Sequence, residues 1–244
     1  MTNRWQDAQK AELKDWKNNQ VCDFELKEVE KKYKLFLKQL AETIKIGKRW
    51  KILDLGCGPT CISRYLPVSI KIGLEPLAGK LNLKNKLIAG IKILEGKAEK
   101  IPFNDKYFDL VICRNAIDHM ETPQKAIKET SRVLKNKGYF ILAVYVYPYP
   151  IALFKKLSEK IPFLKNIEHP FTFTIQSLKK LIQKDFILKK EFVIHTGYHP
   201  NDYGKVNEKV SKRTLLEKTA IFINFKVFRE KWFVKEYCLL LRKK

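Results

Sequence analysis

The chain has 244 residues, 45% of them hydrophobic, and carries 49 Lys and Arg against 26 Asp and Glu, a formal charge of +23. That length makes one large domain, or a domain with an appendage, with ample chain to bury a core. The five cysteines, at 22, 57, 61, 113 and 238, form no even disulfide framework, and Cys57 and Cys61 have no third cysteine or histidine nearby to complete a metal site.

The N-terminus, MTNRWQDAQKAELKDW, has no apolar signal core. The longest apolar run, 139–154, contains Pro148 and Pro150 and falls short of the ~20 residues a membrane span needs. The expectation is a cytoplasmic protein without a span. The positive charge favours phosphates, RNA or anionic lipid surfaces. It is carried by scattered lysine pairs at 31, 155, 179, 189 and 243 rather than by arginine forks. A solvated lysine surface with weak, non-specific RNA or lipid contact is therefore expected.

In chain order, Trp5, Ala8, Glu12 and Trp16 suggest a short helix. Leu26, Val29, Tyr33, Phe36, Leu37, Leu40 and Ile44 continue at helical spacing up to Gly47. Residues 1–47 thus read as a helical extension. Strands follow at 50–55, 70–74, 91–94, 108–113 and 139–146, several of them apolar throughout, as parallel strands buried on both faces are. A helix is predicted over 123–135, with Thr122 as cap, Pro123 at the first position and Gly138 just beyond its end. The repeated strand–helix–strand units predict an α/β fold with a doubly wound, mostly parallel sheet. After 146 come a basic amphipathic stretch at 151–165, a helix near 175–184, a strand near 186–194, a Lys-rich connection and a last strand near 234–242, expected to run antiparallel. The domain is placed at 48–244, with a lid or acceptor insert at 148–174.

The first strand runs into KILDLGCGPT, residues 51–60, and then ISRYL, which reads as the start of a helix. Small residues in such a turn let backbone N–H groups approach a ligand. A dinucleotide or S-adenosylmethionine fits that opening. A dinucleotide site wants G-x-G-x-x-G, and Cys61 stands where its third glycine belongs. Glu75, 19 residues after Gly56, can accept ribose hydroxyls in either case.

The motifs DLGCGPT, GLEPL, AEKIPF, FDLVICRNAIDH and RVLKNKG, in this order over about residues 50–147, closely resemble the class I S-adenosylmethionine-dependent methyltransferases, in the branch with a generic methyltransferase domain. The resemblance implies a Rossmann-like fold, S-adenosylmethionine as cofactor, and methyl transfer to a small-molecule or glycan acceptor. It implies that Asp54, Gly56, Cys57 and Gly58 line the methionine end. Glu75 would hold the ribose, Pro76 and Leu77 flank the adenine, and Ala98 offer it a backbone N–H. Arg114 and Asn115 would present main-chain carbonyls to the cofactor's amino group. Family members usually carry an aspartate before Ala98; this chain has Lys97, which cannot accept from the adenine amino group, so Glu99 or a backbone carbonyl must serve.

Asp118 and His119 follow the fourth strand, where this family brings acceptors to the methyl. His119 is the candidate base for an acceptor that loses its proton. His169 is a second candidate, while His195 and His199 are assigned no role. Tyr145, Tyr147, Tyr149, Phe171 and Phe173 could wall an acceptor pocket. The pattern W-x-x-A-Q-x-x-E-x-x-x-W at 5–16 looks like that of methyltransferases linked to surface-glycan pathways. The charge keeps an RNA methyltransferase as the alternative, and a non-catalytic basic scaffold as a remoter one.

Overall fold

The computed structural model of the protein describes residues 4–18, 33–34, 36–83, 90–158, 169–196 and 234–244. Among these, strands β1 (Lys51–Leu55), β2 (Ile70–Glu75), β3 (Ile91–Glu95), β4 (Phe108–Arg114), β5 (Leu134–Val146), β6 (Phe186–Thr196) and β7 (Lys235–Lys243) form one sheet in the order β3-β2-β1-β4-β5-β7-β6. The first five run parallel, and β7 lies antiparallel between β5 and β6. This is the mostly parallel sheet with an antiparallel last strand that the sequence predicts.

Period-two alternation in the central strands feeds two cores, one on each face. Leu53, Leu55, Val111 and Cys113 point to the face covered by helices α2 (Pro123–Val133) and α4 (Ile175–Ile182), through Ala126, Ile127, Val133, Leu178 and Ile182. Ile52, Leu110 and Ile112 point to the opposite face, where Phe36, Leu37, Leu40 and Ile44 of the N-terminal segment pack. Leu26 and Val29 lie outside the described residues. Two further helices are α1 (Arg4–Asn18) and α3 (Tyr149–Ser158).

Three local expectations change. The helix after the glycine turn shrinks to one 3₁₀ turn, Ile62–Tyr65, with Pro67 close behind it. Thr122 precedes α2 but its side chain makes no capping bond; its backbone N–H instead donates to Glu99 Oε1 at 2.9 Å. Helix α2 stops at Val133, and the chain enters β5 at once, through an irregular register between Phe108 and Leu110. The left-handed residue after α2 is Lys137 (φ 63°), so Gly138 is no helix cap. It lies in β5, where a Cβ would come within 2.9 Å of the Lys135 carbonyl oxygen.

No helix among the described residues is long and apolar enough to cross a membrane. The end of the stretch at 151–165, the Lys-rich connection and His199 lie outside the described residues, as does the side chain of His195. Strand order reverses between β1 and β4. A crevice therefore opens at their carboxyl ends, the usual ligand position in an open α/β sheet.

Candidate active site

That crevice holds a cavity of about 220 Å³, lined by the glycine turn, the ends of β2 and β4, the 97–99 loop and one face of α1. Gly56 (φ +61°) and Gly58 (φ +50°) both need the left-handed region. A Cβ at Gly56 would also collide with that of Ala116, so the β1 and β4 loops meet only because this residue has none. The turn thereby presents backbone rather than side chains to the cavity.

Glu75 closes the end of β2, with 4% of its surface exposed. Its carboxylate accepts from Gly58 N (3.1 Å) and Leu77 N (3.0 Å), tying the glycine turn to β2. Burial, helped by the charge of Glu12, raises its pKa to about 7, against the pull of those two N–H groups. Asp54 differs from its neighbours in the motif. It does not line the cavity; its Oδ2 accepts from Ser63 N at 3.0 Å and anchors the 3₁₀ turn, while burial raises it to about 6.

Gly56, Cys57, Gly58, Glu75, Pro76, Ala98, Glu99, Arg114, Asn115 and His119 all line the cavity. Cys57 packs its thiol over Gly73, and both its bond with Cys61 and its burial push its pKa well up, so it is an inert wall. The Arg114 guanidinium turns from the cavity to a buried fork with Glu236, 2.7 and 2.9 Å long, and stacks 4.6 Å from the Tyr33 ring centre. Asn115 (φ 50°) donates to the same carboxylate, while its Oδ1 is buried with no hydrogen-bond partner among the described residues. Lys97 is likewise spent: its ammonium bonds Glu121 at 2.9 Å and lies 3.7 Å from the Trp5 ring centre.

Trp5, Gln9, Glu12 and Trp16 line the cavity as well, although the sequence reading gives them no place in the site. Their spacing of four, three and four puts them on one face of α1. Trp16 lies 3.4 Å from where a Gly58 Cβ would be and directs its indole N–H at Glu12 Oε1, 3.4 Å away. A helical face holding two tryptophans, a glutamine and a glutamate was the available signal.

At the edge of the cavity, the 3₁₀ turn Ile117–His119 meets the segment before α4. Phe171 N donates to Asp118 O, and Tyr147 N to Phe173 O. This brings His169 Nδ1 to 2.7 Å from Asp118 Oδ2, with the His119 Nε2 3.8 Å from that same oxygen. Burial works to raise the Asp118 carboxyl, but His119 and the His169 bond outweigh it and hold it below the ordinary range. His119 and His169, 50 residues apart, stand with ring centres 4.5 Å from each other.

Residues 53–142 match the family model described as a methyltransferase domain. An uncharacterised methyltransferase of Schizosaccharomyces pombe is 32% identical over 42% of this chain and 45% of its own. This chain spans about half the length of the curated relatives it matches in this way. The demethylmenaquinone methyltransferase of Staphylococcus carnosus is 24% identical, over 78% of this chain and 90% of its own. The crystal structure of YcgJ from Bacillus subtilis superposes with a TM-score of 0.58 at 18% identity, over 85% of this chain and 96% of that one, and so shares the fold. The matches thus place a methyltransferase domain at residues 53–142, similar to that of the class I S-adenosylmethionine-dependent methyltransferases.

Proposed function

We propose that the protein transfers a methyl group from S-adenosylmethionine to a small-molecule or glycan acceptor. The observation that carries this reading is the joint placement of the glycine turn, the buried Glu75 and the Ala98–Glu99 loop around one cavity at the strand ends. The residues fit the cofactor: a side-chain-free turn leaves room for its methionine end, and the Glu75 carboxylate can accept from ribose hydroxyls. When bound, S-adenosylmethionine supplies an already activated methyl on a sulfonium, so the protein's task is alignment and exclusion of water.

Gly56, Cys57 and Gly58 border the methionine end and Pro76 flanks the adenine. Ala98 offers its N–H, with Glu99 in place of the usual preceding acid. Arg114 and Asn115 contribute backbone carbonyls, in keeping with the engagement of both side chains by Glu236. Helix α1 covers the bound group through Trp5 and Trp16. His119 faces the acceptor side and takes the proton of an acceptor that must lose one. The described residues of the 148–174 insert complete that side as a lid, supported by the bonds that pin Phe171 and His169 to Asp118.

The charges of the cavity also favour this reading over RNA methylation. Its cations Lys97 and Arg114 are paired with Glu121 and Glu236, which leaves Glu12, Glu75 and Glu99 to set the local sign. A net acidic mouth suits a sulfonium and repels a polyanion. The named acceptor of the Staphylococcus carnosus relative is a small molecule, which agrees. The protein acts in the cytoplasm, and the basic helix α3 lets it rest on the inner membrane face when the acceptor is lipid-linked.

The test is incorporation of label from methyl-labelled S-adenosylmethionine into a cell extract split into small-molecule, glycan and RNA fractions. Label in either of the first two is expected. Label confined to RNA would overturn the acceptor assignment.

A further inference from the structure

We propose that Asp118, His119 and His169 form a binding site for a divalent transition-metal ion, at the acceptor end of the cavity. Each contributes one ligand atom, and the three lie within 4.8 Å of one another. The sequence hides this set, because Asp118 and His119 follow β4 while His169 arrives 50 residues later. The Phe171–Asp118 backbone bond helps to bring the two segments together.

One of the two separations is a hydrogen bond and the other is not, and both lie near the spacing of ligands around a shared ion. Metal bonds of ~2.0–2.2 Å put neighbouring ligand atoms about 3–3.5 Å apart. The Asp118 Oδ2 to His169 Nδ1 and His119 Nε2 separations, 2.7 and 3.8 Å, straddle that value. An ion between them would draw His119 in and ease His169 out, by less than about 1 Å each. It would displace the proton now shared by Asp118 and His169.

Two further observations point to a ligand. The Asp118 side chain is 8% exposed, and its Oδ1 has no hydrogen-bond partner among the described residues. A buried carboxylate oxygen left unpaired is costly, and an ion held by both carboxylate oxygens relieves it. Behind His119, Glu12 Oε2 stands 3.9 Å from the buried and unbonded Nδ1. A carboxylate behind a ligating imidazole is the usual second layer of a metal site, and Glu12 is close enough to close onto Nδ1 once Nε2 takes the ion.

Two imidazoles and one carboxylate select zinc, manganese, iron(II) or cobalt rather than magnesium or calcium, which prefer oxygen ligands throughout. Three protein ligands leave positions open for a substrate oxygen. Because His119 lines the cavity, those positions face the acceptor. Resting on the methyl-transfer reading, the ion holds an acceptor hydroxyl and lowers its pKa, and the proton leaves to water. With the ion bound, His119 is a ligand and the ion takes over the part given above to the free imidazole; without it, His119 remains the base.

The experiment strips the protein with chelator, then titrates it with zinc and with cobalt(II), following heat and the cobalt absorption. Binding of S-adenosylhomocysteine is measured on the same samples. About one ion per chain is expected, with an N/O-type cobalt spectrum. The ion should be lost in Asp118→Asn and His169→Ala, and weakened about 10–100-fold in Glu12→Gln. S-adenosylhomocysteine binding by the two ligand variants should persist, which shows that they fold. Absence of stoichiometric uptake, uptake unchanged in every variant, or a thiolate charge-transfer band from the cysteines would each overturn the metal site. Metal uptake without affinity for S-adenosylhomocysteine would instead overturn the cofactor reading and leave the metal site standing.

Discussion

Replacing Glu75 by glutamine should strengthen the fold and weaken the cofactor, with opposite pH trends. The carboxyl is raised from 4.5 to about 7 in the folded protein, first by burial and then by Glu12. Its folded form therefore binds more protons than its unfolded form between those values. Stability from this group falls as pH rises from 4.5 through 7, by roughly 3 kcal/mol in all at 1.36 kcal/mol per pKa unit. Glutamine removes that slope but loses one of the two N–H partners, Gly58 or Leu77, at about 1 kcal/mol. The melting temperature of Glu75→Gln relative to the parent should thus climb from pH 5.5 to pH 8. The difference cancels other titrating groups, Asp54 included. S-adenosylhomocysteine affinity should move the other way. If ribose hydroxyls need the ionised acid, parent affinity falls about tenfold from pH 8 to pH 6, while the variant binds roughly 1.5–3 kcal/mol more weakly at pH 8 and shows no such slope. Calorimetry and melting curves at matched pH provide both readouts. A parent affinity that is flat with pH and equal to that of the variant would refute the placement of the ribose on Glu75.

Trp16→Ala should weaken S-adenosylhomocysteine by about five- to tenfold, taking ~50 Å² of lost apolar cover at ~25 cal/mol per Å². The fold should persist, and unchanged affinity would remove α1 from the role of cover. Transfer RNA should bind weakly at low salt and be released by physiological salt, as scattered lysines dictate; selective sub-micromolar retention in a gel-shift titration would revive an RNA acceptor. Helix α3 exposes Tyr149, Leu153, Phe154 and Leu157 and carries Lys155 and Lys156 in its last turn. The protein should therefore float with anionic vesicles more than with neutral ones, and equal flotation would remove the membrane contact.

The fold was legible because the central strands are apolar on both faces and separated by turn signals. The glycine turn and Glu75 were legible because their chemistry is local. Each lies where a strand ends, and spacing along the chain conveys spacing in the site. The misreadings arose where tertiary contacts override local preference. ISRYL has helical residues but only one 3₁₀ turn, because Asp54 pins Ser63 and Pro67 follows. Thr122 gives its N–H to Glu99, and its hydroxyl does not cap α2. Gly138 resembles a helix stop, yet it is a strand residue pressed against the Lys135 carbonyl. The face of α1 and the Asp118–His169 contact could not be read from periodicity. Tryptophans and a glutamate at helical spacing fit a packed surface as well as a cavity wall, and no local rule joins residues 118 and 169.

The central claim is that the cavity is built for S-adenosylmethionine rather than for a dinucleotide. Calorimetric titration of the parent protein at pH 8, with S-adenosylhomocysteine in one cell and NAD in another, tests it most directly. The account predicts about one site per chain at micromolar level for the first and far weaker binding for the second, since Cys61 occupies the third glycine position of a dinucleotide turn. Tight NAD binding with no affinity for S-adenosylhomocysteine would contradict it.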